Sequence, residues 1–348
     1  MPARIGFDQY TIGHMSLSPG AILEFAVEHG LDGVQFLEPA AIDPELSPTR
    51  LAECRRKADA LGLYLEVGLP SPNPARRSHA EGREISSAEH ARGLIRHVEG
   101  VAALGCRHAR VYVGDRHDRF RPDPCWKDQL DATEKVLRAL TPCLRDHNVK
   151  LAIETHADLT VDELLRLLDR LDPEVGGVAL DTGNLVMRLD EPLRAIERLA
   201  PRVLATHVKD CVLEEGPRGL RWQARAVGSG ILPMPDLLAP LIRANRDLNL
   251  SIELHPRTYD LPIHDPSWLA FFPDLNPRDL SPIVRMAMAC EALYQSGDLP
   301  RPQEVEAIPW SNRATEWLAS SLGYLRRVIP AMIEPEPASA FPRVAQHD

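Results

Sequence analysis

The chain is without several features that would settle its class quickly. It has no run of about 18 apolar residues, so no membrane-spanning helix is expected. Its opening, MPARIGFDQY, has neither the basic region nor the apolar stretch of a secretion signal. The fold is therefore expected to begin almost at once, in the cytoplasm. No C-x-x-C pair joins the six cysteines, Cys54, Cys106, Cys125, Cys143, Cys211 and Cys290. That spacing excludes a zinc-finger or disulfide framework and leaves thiols packed as small hydrophobes in a reducing compartment. Positive charge is in deficit, with 40 Lys and Arg against 50 Asp and Glu and a net charge of −10. A general nucleic-acid binder needs the opposite balance to neutralise phosphates. A small anionic ligand held by a few local cations stays open. A glycine-rich phosphate cradle of the P-loop kind is also missing.

What is present is a long alternation. The 348 residues are 44% hydrophobic, enough for a full core. Short, partly β-branched runs occur at 4–10, 32–38, 63–69, 108–114, 149–156, 177–183, 203–210 and 250–256. Amphipathic segments lie between them with helix punctuation. Ser18-Pro19 opens one that stops on Gly30, and Ser47-Pro48 opens another that stops on Gly62. Thr160 with Glu163 three residues on is a capping box. Eight strand-plus-helix units predict a (β/α)8 TIM barrel. A doubly wound sheet would need a G-x-G-x-x-G turn after its first strand, where this chain has DQYTIGHMSL. The barrel core is expected over 1–256. A long loop and C-terminal helices over 257–330, helical near 281–296 and 312–329, should pack on it. A disordered tail is expected at 331–348. In the 257–280 segment, Trp268, Phe271 and Phe272 are candidates to close over a substrate or to bury a subunit contact.

Chemistry in such a barrel gathers at the C-terminal strand ends. Four consecutive strands end in a metal-ligating side chain: Glu154 (LAIE), Asp181 (VALD), His207 (LATH) and Glu253 (LSIE). One such carboxylate alone is commonly a helix cap or a surface group. Three converging carboxylates repel one another unless a cation is shared. Neighbouring lysines and arginines could be that cation, or a metal ion could. Three carboxylates and one imidazole suit Mn²⁺, Mg²⁺ or Co²⁺, with Zn²⁺ or Fe²⁺ also compatible. Mn²⁺ is the ion expected first. Lys209 lies two residues beyond His207, on the same side of the strand. It is a candidate to hold a substrate oxygen, or equally to pair with a site carboxylate. Asp210 points the other way and is expected to orient a neighbour.

The motifs FDQYT, AIETH, ALDTGN, THVKD, VGSGIL and SIELH, in this order from about residue 4 to 256, resemble the sugar phosphate isomerase/epimerase family of xylose-isomerase-like TIM barrels. The resemblance implies that Glu154, Asp181, His207 and Glu253 bind one divalent metal ion. It also implies a small-molecule sugar substrate and a homo-oligomer. The acidic charge and the lack of a membrane span argue for no nucleic-acid or membrane partner, and the long 257–280 segment with the extra C-terminal helices leaves a partner subunit as a further expectation. One departure is DTGN, where many relatives carry D-x-G-H. Asn184 can hydrogen-bond but cannot shuttle a proton.

A metal gripping two adjacent oxygens of a hydroxy-ketone stabilises the enediolate formed when a proton leaves. The same intermediate is reached by loss of CO2 or can expel a β-hydroxyl. A sugar isomerase or epimerase acting on a ketose or keto-sugar acid is thus the first expectation. The alternative is a lyase: a decarboxylase, dehydratase or β-eliminase on an oxidised sugar or 3-keto-glycoside. Catalytic candidates are Glu154 and Glu253, with His156, which shares a face with Glu154, and Lys209. Substrate-binding candidates are Tyr10 and Glu38 at the ends of strands one and two, Asn184, Arg225 ahead of Gly228 and Gly230, and His255.

Overall fold

The computed structural model describes residues 3–333. Its strands, in chain order, are β1 (Ile5–Asp8), β2 (Gly33–Phe36), β3 (Tyr64–Gly68), β4 (His108–Val111), β5 (Lys150–Glu154), β6 (Gly176–Asp181), β7 (Val203–His207), β8 (Asp210–Gly216), β9 (Gly219–Arg225), β10 (Leu250–Ile252) and β11 (Thr258–Leu261). Strands β1 to β7 run parallel to their neighbours in sequence order, and β10 lies parallel to β1. The last gap, between β7 and β10, is spanned by a single bridge, Val208 to Ile252. The eight strands expected from the sequence are these eight, each shorter than its apolar run. They form the expected barrel.

Why these segments are strands and those helices follows from the same cues. The barrel strands are apolar on both faces because helices cover the outside. Phe7, Val34, Phe36, Val67, Ile153 and Leu180 are all buried. Ser18 caps the helix Pro19–Glu28, and Thr160 and Glu163 close a reciprocal capping box on Val161–Asp169. Register sets the rim: Glu154 is level with Ala179, and Asp181 with His207.

Two parts differ from the sequence expectation. The run read as one strand over 203–210 ends at His207. Asp210 then starts a hairpin, β8 and β9, whose far edge takes β11 to make a three-stranded antiparallel sheet. The residues between β7 and the next helix, Met234–Ala244, are thus not a simple loop. The 257–280 segment is also not structureless, since it holds β11 and a short helix, Pro266–Leu269. Trp268, Phe271 and Phe272 do not line the cleft, whereas Tyr259 near its start does. Phe271 and Trp268 pack on Phe120, with ring centres 5.0 and 6.0 Å away. Phe272 lies buried under the Arg119 guanidinium at 4.4 Å. Helices Pro277–Ser296 and Trp310–Ile333 follow. The first packs on the hairpin, where Tyr294 donates to the Leu213 carbonyl at 3.2 Å. The second packs beside Met234–Ala244, and its Ser321 hydroxyl accepts from Val227 N at 2.9 Å. From residue 334 on, the expected tail lies outside the described residues. Among those residues no helix is long and apolar enough to cross a membrane.

Candidate metal centre and cleft

Because β5, β6, β7 and β10 end at one rim, Glu154, Asp181, His207 and Glu253 converge. One ligand atom from each lies within 4.8 Å of the others. All but Glu253 are buried; its side chain is 14% exposed. The His207 Nδ1 is 3.0 Å from Glu154 Oε1 and 3.6 Å from Glu253 Oε2. On the other side of the ring, Nε2 meets the Gln35 side-chain oxygen and lies 3.3 Å from Asp8 Oδ2. Those acceptors hold a proton on Nε2, so that loss of the Nδ1 proton on binding an ion would turn the Nδ1 lone pair to the cluster.

Lys209 reaches the same cluster, 2.8 Å from Asp181 Oδ2 and in contact with Glu253 Oε2. Of its two expected roles, pairing with site carboxylates is the one this geometry holds. Arg110 donates to Glu154 Oε2 at 2.7 Å. Burial alone would push Glu154 and Glu253 up. The charges of Arg110 and His207 on the first, and of Lys209 and His207 on the second, hold both well below the carboxylate range. Asp181 ends higher, at about 6, because burial and its carboxylate neighbours outweigh Lys209. Burial would lower His207, but Glu253 and Glu154 raise it well above its ordinary value.

The donor set fits a divalent ion. Four buried or nearly buried carboxylates, from Asp8, Glu154, Asp181 and Glu253, face two permanent cations, Arg110 and Lys209. With His207 neutral, as a metal ligand must be, two positive charges are wanting; when no ion is bound, protonation of His207 supplies one of them. Asp8 Oδ2 and Asp181 Oδ2 are buried and lack an aligned hydrogen bond. The four residues could therefore hold one ion, of the oxygen-preferring type.

The cluster forms the floor of a cleft of about 310 Å³. Tyr10, His156, Asn184, Lys209 and His255 line it, together with Arg76, Tyr112, Arg257 and Tyr259. His156 Nδ1 donates to the Gly114 carbonyl at 3.0 Å. Its ring lies 5.0 Å from that of Tyr112. Asn184 and Gly183 donate their backbone N–H to Asp181 Oδ1, both at 3.0 Å. His255 lies within 3.3 Å of Lys209 Nζ. Burial and that ammonium hold its pKa well below the usual value, so it stays neutral.

Two expected substrate contacts are elsewhere. Glu38 begins a short turn after β2, which ends at Phe36. Its carboxylate lies 3.6 Å from His97 and does not line the cleft. Arg225 ends β9 and donates to the Pro300 carbonyl at 2.8 Å, because the hairpin turns it toward the C-terminal helices. Asp210 orients its surroundings, as expected. Its carboxylate accepts the backbone N–H groups of Cys211, Gly228, Gly230 and Leu232. Sequence reading missed Asp8, Gln35 and Arg110. Each is a lone polar side chain inside an apolar strand, and that was the available signal: such a group must be paired.

Comparison with known proteins agrees with this architecture. A model of the xylose isomerase-like TIM barrel matches residues 23–270. The 3-oxo-isoapionate decarboxylase of Pectobacterium atrosepticum is 29% identical over 240 residues, 68% of this chain and 78% of that one. Among solved structures, D-psicose 3-epimerase of Clostridium cellulolyticum H10 aligns with a TM-score of 0.61 at 15% identity, covering 94% of this chain and 99% of that one. The 3-keto-D-glucoside 4-epimerase of E. coli aligns at 0.54 and 14%, covering 78% and 98%. At such identities the solved structures speak for the fold alone. By its matched model, the chain belongs to the xylose isomerase-like TIM barrels.

Proposed function

We propose that the protein is a divalent-metal-dependent enzyme acting on a keto-sugar acid through an enediolate, and that the reaction is loss of CO2. The observation that carries the proposal is the convergence of Glu154, Asp181, His207 and Glu253 with two positive charges wanting. The choice of reaction rests on similarity to a protein named as a decarboxylase of a 3-oxo sugar acid. In a 3-oxo acid, the carbon bearing the carboxylate adjoins the ketone. The electron pair left by CO2 can then delocalise onto the ketone oxygen. Mn²⁺ is the ion proposed first, and the cytoplasmic setting and a homo-oligomer belong to the same proposal.

When bound, a divalent ion supplies charge stabilisation for the enediolate. The chain's own groups do the rest. Gln35 and Arg110 hold His207 and Glu154 in place. Lys209, buried and cationic, can donate to a substrate oxygen that becomes negative. His156 donates its Nδ1–H to the Gly114 carbonyl, which leaves Nε2 for exchanging a proton at the carbon that lost CO2. Tyr10 and Tyr259 wall the cleft against water.

A 3-epimerase reading keeps one observation in its favour. Glu154 and Glu253 belong to one cluster but come from β5 and from the end of β10, so one could take a proton and the other return it. The two readings part in one assay. Mn²⁺-loaded protein is given a panel of 3-oxo sugar acids and ketoses in D2O. Trapped CO2 from the acids supports the decarboxylase. Deuterium uptake into recovered ketoses without CO2 supports the epimerase and overturns the first reading.

A further inference from the structure

Four permanent cations line the cleft, and three are already matched. Arg76 pairs with Asp115 at 3.2 Å and also with Asp118. Arg110 pairs with Glu154, and Lys209 with Asp181 and Glu253. Arg257 has no carboxylate partner among the described residues. Its Nη1 reaches only the Tyr259 hydroxyl, at 3.5 Å. The guanidinium lies over the Tyr10 ring, 5.3 Å from its centre. Its backbone N–H donates to His255 Nδ1 at 3.3 Å, which ties the residue to the cleft wall. A second cation without a carboxylate partner, Arg116, lies 5.0 Å from the centre of the Tyr259 ring. Both residues are exposed. Arg116 Nε donates to His117 Nε2 at 3.0 Å. In a protein of net charge −10, two guanidiniums without carboxylate partners, gathered on one tyrosine at the cleft, make a local positive mouth above an acidic floor.

We propose that Arg257, backed by Arg116, is the handle for the substrate carboxylate and makes the enzyme selective for a keto-sugar acid over a neutral ketose. This rests on the metal-dependent reading above and names its substrate class. The floor holds carboxylates and suits the metal and the hydroxy-ketone oxygens. It would repel a substrate carboxylate, which must therefore point toward the mouth. A guanidinium offers that group two parallel N–H donors. In the reaction the bond from the carboxyl carbon to its neighbour breaks, its electron pair stays on the sugar carbon as the enediolate, CO2 leaves neutral, and a proton then joins that carbon. The charge that Arg257 holds thus disappears along the reaction coordinate. Its contact stabilises the bound acid more than the transition state, and so acts on KM rather than kcat.

The test uses Mn²⁺-loaded full-length protein. Mn²⁺ binding to the wild type is measured first by calorimetry, then binding of D-ribonate and of ribitol, a matched acid and neutral polyol that cannot decarboxylate. The wild type should prefer ribonate. Arg257→Gln should weaken ribonate at least about tenfold and leave ribitol and Mn²⁺ unchanged. Arg257→Lys, which keeps the charge but not the paired donors, should recover part of the loss. With a turned-over keto acid, Arg257→Gln should raise KM and leave kcat equal or higher. Equal ribonate affinity in wild type and Arg257→Gln would overturn the inference and spare the metal reading. A wild type that binds Mn²⁺ but does not favour the acid would do the same. Failure of the wild type to take up Mn²⁺ would remove the metal reading and this inference with it.

Discussion

Lys209 is the residue on which the metal-free centre depends. It is 1% exposed and neutralises Asp181 and Glu253, so its removal leaves two carboxylates facing each other. Lys209→Met should cost the metal-free protein about 3–5 kcal/mol. Mn²⁺ should restore much of that loss and bind more tightly, since no ammonium competes for the same oxygens. Denaturant melts with and without Mn²⁺ test both statements, and weaker Mn²⁺ binding would show that Lys209 assists the ion. Gln35 carries a different expectation. Its side-chain oxygen fixes the His207 proton on Nε2, so Gln35→Leu should lower Mn²⁺ affinity about 10–100-fold with the fold intact by circular dichroism. Unchanged affinity would mean that Asp8 alone orients the ring. The four residues of the candidate metal centre were legible in the sequence because each follows an apolar strand, where a polar end has to face the rim. Gln35 and Arg110 were not, since a polar residue within a strand does not announce its partner. The partners here are 172 and 44 residues away.

At the level of elements, legibility followed periodicity. Strands flanked by capped helices stood out, because Ser-Pro starts and glycine stops bound each unit. The hairpin after β7 did not. Only two residues separate the end of β7 from the start of its alternation at Asp210, so β7 and the start of β8 read as one run. Only pairing with β9 and β11 distinguishes them. The 257–280 segment was open for the same reason: where Trp268, Phe271 and Phe272 go depends on partners from other units. Phe272 is held beneath Arg119 at 4.4 Å and Arg188 at 5.6 Å, away from the cleft. Phe272→Ala should therefore cost about 3–5 kcal/mol and leave kcat and KM unchanged in the folded fraction. A changed KM would mean that the segment does reach substrate.

Across the whole molecule, a polar chain runs through the barrel beneath the candidate metal centre. Glu66, buried in β3, accepts from Gln35 at 2.9 Å and from Asn249 at 2.8 Å, and lies 3.4 Å from His108. Burial would raise Glu66 and lower His108, but each shifts the other the opposite way. Glu66 is held below and His108 above its ordinary value. The Glu66 contribution to stability is present above about pH 4.3 and lost below it. The His108 contribution is present below about pH 6.5 and lost as pH rises through its raised folded value. Denaturant midpoints should peak in the mildly acidic range, and His108→Asn should flatten the loss on the alkaline side. An unchanged slope would move the titrating group elsewhere.

The single bridge between β7 and β10 has a further consequence. Elsewhere the barrel wall is laced by ladders; here Val208 N donates to Ser251 O at 2.8 Å and Glu253 N to Val208 O at 3.3 Å. The Thr206 hydroxyl fills in as donor to Asn249 O and acceptor from Ser251 N. His207 stands on one side of this seam and Glu253 on the other. An ion held by both would act as a rivet where the wall has fewest stitches. Hydrogen–deuterium exchange at the Val208 and Glu253 amides should then slow on adding Mn²⁺, while the β2–β3 ladder keeps its rate. In that event the site would serve as the fastener of the closed barrel as well as the seat of its chemistry.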